Sequence, residues 1–102
     1  MSTYPGKGKV AVLKTSPETV LEDIDRLMVM AGVEQALPKN VQTGIKINIS
    51  WQTWYPACSS TPWQLEGTIR TLQRLGYPDI MGIHNDTVVV NTRDGEANNK
   101  HR

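Results

Sequence analysis

The sequence predicts a small α/β fold with a mostly parallel sheet in βαβαβ order. Three short apolar runs rich in β-branched residues alternate with two longer segments of helical periodicity. Strands separated by a single helix run parallel, because the helix returns the chain to the starting end of the sheet. Two helices cannot cover both faces of a sheet of three or four strands. We therefore expect an incomplete part of a larger α/β domain, covered by self-association or by the remaining part of a longer chain.

The first half of this pattern is a strand followed by a helix. After a polar lead-in at residues 1–8, residues 9–14 are nearly all apolar, as in strands that are covered on both faces. The first helix is predicted to begin at Ser16, which can cap it, with Pro17 at the first helical position. Apolar residues then recur at helical spacing until Gly32, a natural terminator.

The second half has the clearest local signal in the chain. A second strand is predicted over residues 44–50, where three isoleucines alternate with polar residues. Thr61 can cap the second helix, Pro62 suits its first position, and Gln64 completes a capping box. Gly76 is predicted to end this helix.

The remaining strands complete one α/β unit over residues 9–90. The third strand is predicted over residues 79–84, and a short valine run at residues 88–90 suggests a fourth. Residues 91–102 form a polar tail in which no apolar periodicity remains.

Composition limits the class of protein. The chain has 102 residues, 11 of them basic and 10 acidic, for a formal net charge of +1. This balance argues against a nucleic-acid module, which needs a basic surplus. The single cysteine excludes an internal disulfide, and no apolar run approaches the roughly 18 residues of a membrane span. The N-terminus lacks the apolar core of a signal peptide, so we expect a cytoplasmic protein without nucleic-acid or membrane partners.

The carboxyl ends of the strands are the expected location of a site, because open α/β sheets bind ligands there. The loop after the second strand exceeds the roughly two to six residues of most such loops and carries two tryptophans, a tyrosine and the cysteine. A thiol, hydroxyls and amides near a helix N-terminus can hold an anion or a metal, and a histidine after the third strand can act as a base or a ligand. The candidate ligand-binding residues are Trp51, Cys58, Ser59, Ser60, Thr61, His84, Asn85 and Asp86.

Each of these features also has a purely structural interpretation. The aromatic residues can cover the end of the sheet as a local core, and Cys58 can be a small buried thiol. The hydroxyls of residues 59–61 can simply cap the helix. Asn85 and Asp86 can form a turn beside a surface histidine.

Several short motifs resemble the domain of unknown function 362 family. They are the strand at residues 10–14, the Lys-Ile-Asn strand at residues 46–48, and a helix that begins at Thr61-Pro62 and ends in glycine. The resemblance implies the N-terminal α/β portion of a longer protein and transfers no activity to individual residues. Some members are similar to iron–sulfur proteins whose clusters are bound by Cys-rich segments. With Cys58 as its single cysteine, this chain could hold such a cluster only together with segments outside it.

Three hypotheses for function follow, and the sequence specifies neither a reaction nor a substrate. The first is a ligand or metal site formed by the long loop and the His84 tip. The second is a non-catalytic interaction domain that docks a partner through the Trp-rich loop. The third is a thiol-dependent enzyme with Cys58 as nucleophile and His84 as base. The first two differ in whether the loop lines a cleft or is exposed. The third requires the thiol and the imidazole within hydrogen-bond reach, directly or through a water.

Overall fold

A parallel strand pair joined by a helix forms the centre of the fold. The structure, a computed structural model, describes residues 6–84, 86 and 90–101. Its elements are α1 (Val20–Ala31), α2 (Val33–Ala36), β1 (Thr43–Lys46), α3 (Pro62–Arg74), β2 (Ile80–Ile83) and α4 (Thr92–Asn98). The strands β1 and β2 are hydrogen-bonded in parallel as a two-stranded sheet. The chain is therefore a small mixed α/β fold, as the sequence predicts.

The two strands interlock through glycines. A Cβ atom on Gly44 would lie 3.1 Å from Ile83 Cδ1, and one on Gly82 would lie 3.1 Å from Ile47 Cδ1. Each isoleucine thus occupies the space above a glycine of the opposite strand. The ladder continues one residue past β1, because the Ile47 amide donates to the Ile83 carbonyl at 3.1 Å.

The predicted start and end of α3 are both confirmed. The Thr61 hydroxyl accepts from the Gln64 amide at 3.3 Å, and the Gln64 side chain accepts from the Thr61 amide at 2.9 Å, which completes the capping box. At the other end Gly76 adopts a left-handed conformation, with φ of 89°. The Tyr77 amide then donates to the Leu72 carbonyl at 3.0 Å, which closes the helix C-terminus.

The helices α1 and α3 pack against each other. The backbone of α3 comes close to α1 at Gly67, which faces Ile24. Two turns further along, the Arg74 guanidinium donates two hydrogen bonds, of 2.7 and 2.6 Å, to the Asp25 carboxylate. The buried apolar residues in the described part of the chain are Ile47, Leu72, Tyr77 and Val90. They make a small core, which suits a chain of this size.

The start of α1 differs from the prediction. The helix begins at Val20 with Thr19 at the N-cap position, and the Ser16 carbonyl instead accepts from the Thr19 amide in a turn. The helix starts later than predicted because of the buried carboxylate of Asp23. The hydroxyls of Thr15 and Thr19 donate to Asp23 Oδ2 at 2.8 and 2.7 Å, which holds the preceding residues in a turn around that side chain. The predicted terminator is confirmed, because Gly32 adopts φ of 83°.

The expected βαβαβ order is not observed, because the predicted first strand has no partner within the described residues. Residues 9–14 are outside any strand. The residues Val10 and Val12 are 87% and 81% exposed rather than covered on both faces. The second strand is also shorter than predicted, since it ends at Lys46. Residues 88 and 89 of the predicted fourth strand, like residues 1–5 of the lead-in, lie outside the described residues.

The C-terminal segment contains a helix that apolar periodicity did not indicate. The Asn91 side chain caps α4 by accepting from the Asp94 amide at 3.1 Å. Gly95 is buried, and a Cβ atom there would lie 2.6 Å from Ile49 Cγ2. This helix is therefore positioned by a glycine contact and polar side chains, which leave no hydrophobic pattern in the sequence.

Candidate functional site

The aromatic loop, residues 51–61, carries its largest side chains on the outside. Trp51, Trp54 and Tyr55 are 43%, 59% and 65% exposed. They therefore do not form a buried local core over the end of the sheet. The loop is exposed and does not form the wall of a closed cleft. An exposed loop is the arrangement that the second hypothesis expects, whereas the first expects a loop that lines a cleft.

Serine hydroxyls hold the loop against the segment that follows β1. The Ser60 hydroxyl accepts from the Asn48 amide at 3.1 Å, and the Ser60 amide donates to the Asn48 carbonyl at 2.8 Å. The Ser59 hydroxyl accepts from the Ser50 amide at 3.1 Å, and the Asn48 side chain donates to the Cys58 carbonyl at 3.2 Å. These hydroxyls organise the loop backbone, which supports their structural interpretation.

The helix α4 and its flanks hold the other side of the loop. The Gln52 side chain accepts from the Asn91 amide at 2.9 Å, and the Asn98 side chain donates to the Gln52 carbonyl at 2.8 Å. The buried Asn99 side chain donates to the Trp51 carbonyl at 3.0 Å. Hydrogen bonds to two different parts of the chain therefore hold both ends of the loop.

Both histidines contact the chain itself. The His84 side chain is 10% exposed, and its Nε2 donates to Glu96 Oε1 at 2.7 Å. His101, to which the sequence assigns no role, donates from Nε2 to the Ser60 carbonyl at 2.6 Å. In both rings Nδ1 is buried and has no hydrogen-bond partner within the described residues. No sequence signal pointed to His101, because its partner lies 41 residues away.

The predicted thiol dyad is not observed. Within the residues that the structure describes, the hydrogen bond of His84 is to Glu96 and not to the Cys58 thiol. The Cys58 residue is partly exposed, and its backbone amide donates to the Tyr55 carbonyl at 3.3 Å. Among the described residues, a direct hydrogen bond between the Cys58 thiol and the His84 ring is therefore absent, which is one of the two arrangements that the third hypothesis allows.

Thr61 and Asp86, the remaining predicted site residues that the structure describes, both accept hydrogen bonds from backbone amides at helix N-termini. Thr61 caps α3 through its hydroxyl. Asp86 Oδ1 accepts from the Thr92 amide at 2.7 Å, at the start of α4. The backbone hydrogen bond from Thr92 holds the pKa of Asp86 below its usual value. Asn85 lies outside the described residues.

A small cavity lies at the carboxyl edge of the sheet among the described residues. This cavity is lined by residues that include Lys46, Ile47, Ser60 and Gln64, and it holds about 190 Å³. Small-molecule sites usually hold roughly 300–1,000 Å³. Among residues 6–84, 86 and 90–101, no group of three or more His, Cys, Asp or Glu side chains is placed to hold a metal ion.

Comparison with known proteins identifies no relative of this chain. No family model, no curated protein and no solved structure matches the chain. The resemblance to the domain of unknown function 362 family, and the iron–sulfur connection that it implies, therefore stay predictions. In the described part of the chain, no helix is both long enough and apolar enough to cross a membrane.

Proposed function

We propose that this chain is a non-catalytic interaction domain that binds a partner protein through its aromatic loop. The observation that carries the proposal is the exposure of Trp51, Trp54 and Tyr55 on one loop. Tryptophan and tyrosine are enriched among the residues that contribute most to protein–protein binding, because they bury a large area at little cost in side-chain entropy.

The hydrogen bonds on both sides of the loop support this role. A loop that is already ordered loses less conformational entropy on binding than a loop that becomes ordered only when its partner binds. Asn48 and the serines hold one side of the loop, and Gln52 with Asn98 and Asn99 hold the other. The aromatic side chains are thus supported by a bonded backbone.

The composition of the loop indicates the type of surface that it recognises. Residues 50–61 contain no charged side chain. A partner would therefore meet aromatic rings with amide and hydroxyl groups between them, which suits an apolar protein surface with a polar rim. The binding surface does not depend on a charged partner.

The residues proposed for chemistry support the non-catalytic alternative. His84 is paired with Glu96, and the Ser59 and Ser60 hydroxyls accept hydrogen bonds from backbone amides. The Asp86 carboxylate accepts a hydrogen bond from the first amide of α4. A catalytic or ligating group needs an atom that reaches its substrate. These groups are engaged with the chain itself, whereas the aromatic side chains are exposed.

Photo-crosslinking followed by a binding measurement tests the proposal. Benzoylphenylalanine in place of Tyr55 should give a crosslinked adduct in cells, and the same residue in place of Trp63 serves as the control. Trp63 is a matched control because it is 43% exposed but lies on α3, outside the loop.

The purified adduct partner is then titrated with two alanine variants. Trp54→Ala should weaken binding about 30-fold or more, the effect of losing a dominant interface residue. Trp63→Ala should leave the affinity within about threefold. Equal losses in both variants, or adducts that form equally from both positions, would contradict the proposal.

A further inference from the structure

A second surface, the edge segment (residues 9–14), has the side-chain pattern of a strand. Val10 and Val12 point outward and are almost fully exposed, whereas Ala11 and Leu13 between and beside them are half-buried. This alternation with a period of two is the pattern of a strand with one covered face. The segment is distinct from the aromatic loop, and the proposed function does not use it.

Most of the backbone of the edge segment has no backbone partner in the part of the chain that the structure describes. Within the described residues, its one backbone hydrogen bond is from the Lys9 amide to the Gly6 carbonyl, at 2.9 Å. The amides and carbonyls of residues 10–14 pair with no backbone group in that part of the chain. A row of unpaired N–H and C=O groups beside exposed β-branched side chains is a template for pairing with another strand.

A cavity with a mixed polar and apolar lining lies beside the segment. It holds about 620 Å³ and is lined by residues that include Val10, Val12, Met30 and Gly32. Met30 lies near the end of α1 and is itself exposed. Side chains of an added strand would therefore meet apolar atoms on the edge segment and on α1.

The charge around the segment indicates which strand would bind. Lys7, Lys9 and Lys14 lie within residues 6–15, which contain no acidic residue. A second copy paired on this segment would bring lysines close to lysines, and lysine at a strand edge opposes self-pairing. An incoming strand with acidic residues at its ends would instead be attracted.

We propose that the edge segment binds an extended strand of another protein by β-strand addition, and that this strand carries β-branched apolar residues flanked by acidic residues. The backbone of the edge segment supplies the hydrogen bonds, and Val10 and Val12 supply the apolar contacts. The lysines select for the acidic ends.

Synthetic peptides test the proposal with the full chain. The probe is a peptide of alternating valine and threonine with two glutamates at each end, and the comparison peptides carry lysines at the ends or N-methyl groups on alternate amides. Binding is measured by fluorescence anisotropy, and amide hydrogen exchange is followed at residues 10–14. The Glu-flanked peptide should bind, lose affinity as salt is raised, and slow exchange at these amides.

A double variant and a matched control locate the site. The double variant Val10→Thr, Val12→Thr keeps the β-branched shape but replaces one methyl group with a hydroxyl at each position, and should weaken binding about tenfold. Val41→Thr makes the same change at another exposed valine and should not alter binding.

Four outcomes would overturn the proposal. They are absence of binding at millimolar peptide, equal binding of the Lys-flanked peptide, equal binding of the N-methylated peptide, and dimerisation of the chain that the double variant abolishes. The last would assign the segment to a second copy of the chain.

Discussion

The packing of α1 against α3 leads to a prediction whose sign is opposite to that expected from helix propensity. Gly67 lies in the middle of α3, where alanine would ordinarily stabilise the helix by about 1 kcal/mol. Gly67 is buried, however, and a Cβ atom there would lie 2.7 Å from Ile24 Cδ1 and 3.1 Å from Ile24 Cβ and Cγ2. The Ile24 Cβ is attached directly to the backbone of α1, so the two helices would have to separate.

The magnitude follows from these two opposing effects. Overpacking a buried contact costs about 1–3 kcal/mol, and three close contacts with one side chain favour the upper end. Subtracting the propensity gain leaves a net loss of about 2 kcal/mol in the free energy of unfolding for Gly67→Ala. For a domain of this size the midpoint of thermal unfolding should fall by about 10 °C.

Urea unfolding followed by circular dichroism measures this change. Ile24→Val provides the matched background, because it removes Cδ1, the atom that a Cβ on Gly67 would approach most closely. In that background Gly67→Ala should cost less than in the natural chain, which a double-mutant cycle detects as a coupling energy. A raised midpoint for Gly67→Ala, or an equal cost in both backgrounds, would refute the reasoning.

Two further predictions concern a helix cap and an ion pair. Thr61→Ala should lower the free energy of unfolding by about 1 kcal/mol because it removes the side-chain acceptor of the Gln64 amide, and Thr68→Ala in the same helix is the control; equal urea midpoints for the two variants would count against the cap. The hydrogen bonds from Arg74 hold the pKa of Asp25 below its usual value. The carboxylate therefore contributes stability above its unfolded pKa of about 4, and this contribution is lost as the pH falls through the lower folded pKa. Urea midpoints measured between about pH 5 and pH 2 should accordingly fall less for Asp25→Asn than for the natural chain, and parallel pH profiles would contradict this assignment.

The aromatic loop was predictable as an unusual segment of the chain, but the roles of its residues were not. The long loop with two tryptophans is exposed and follows β1. Whether Ser59 and Ser60 face a ligand or the backbone of residues 48–50 depends on how the loop folds back, which residue types alone do not specify. The same holds for His84, whose partner Glu96 lies 12 residues further along the chain.

The sequence by itself determined the features that arise within a few residues of one another. The capping box at Thr61 and the left-handed glycines Gly32 and Gly76 follow from local pattern, because their interactions connect near neighbours or need a specific backbone conformation. Such signals do not depend on the rest of the fold.

The tertiary structure alone decided the features that depend on distant partners. Residues 9–14 have strand composition, yet no strand lies beside them in the described part of the chain, so the composition alone could not make them a strand. The position of α4 depends on hydrogen bonds from Asn98 and Asn99 to carbonyls 46 and 48 residues earlier. Polar contacts of this range leave no periodic hydrophobic signal, and for that physical reason only the folded chain shows them.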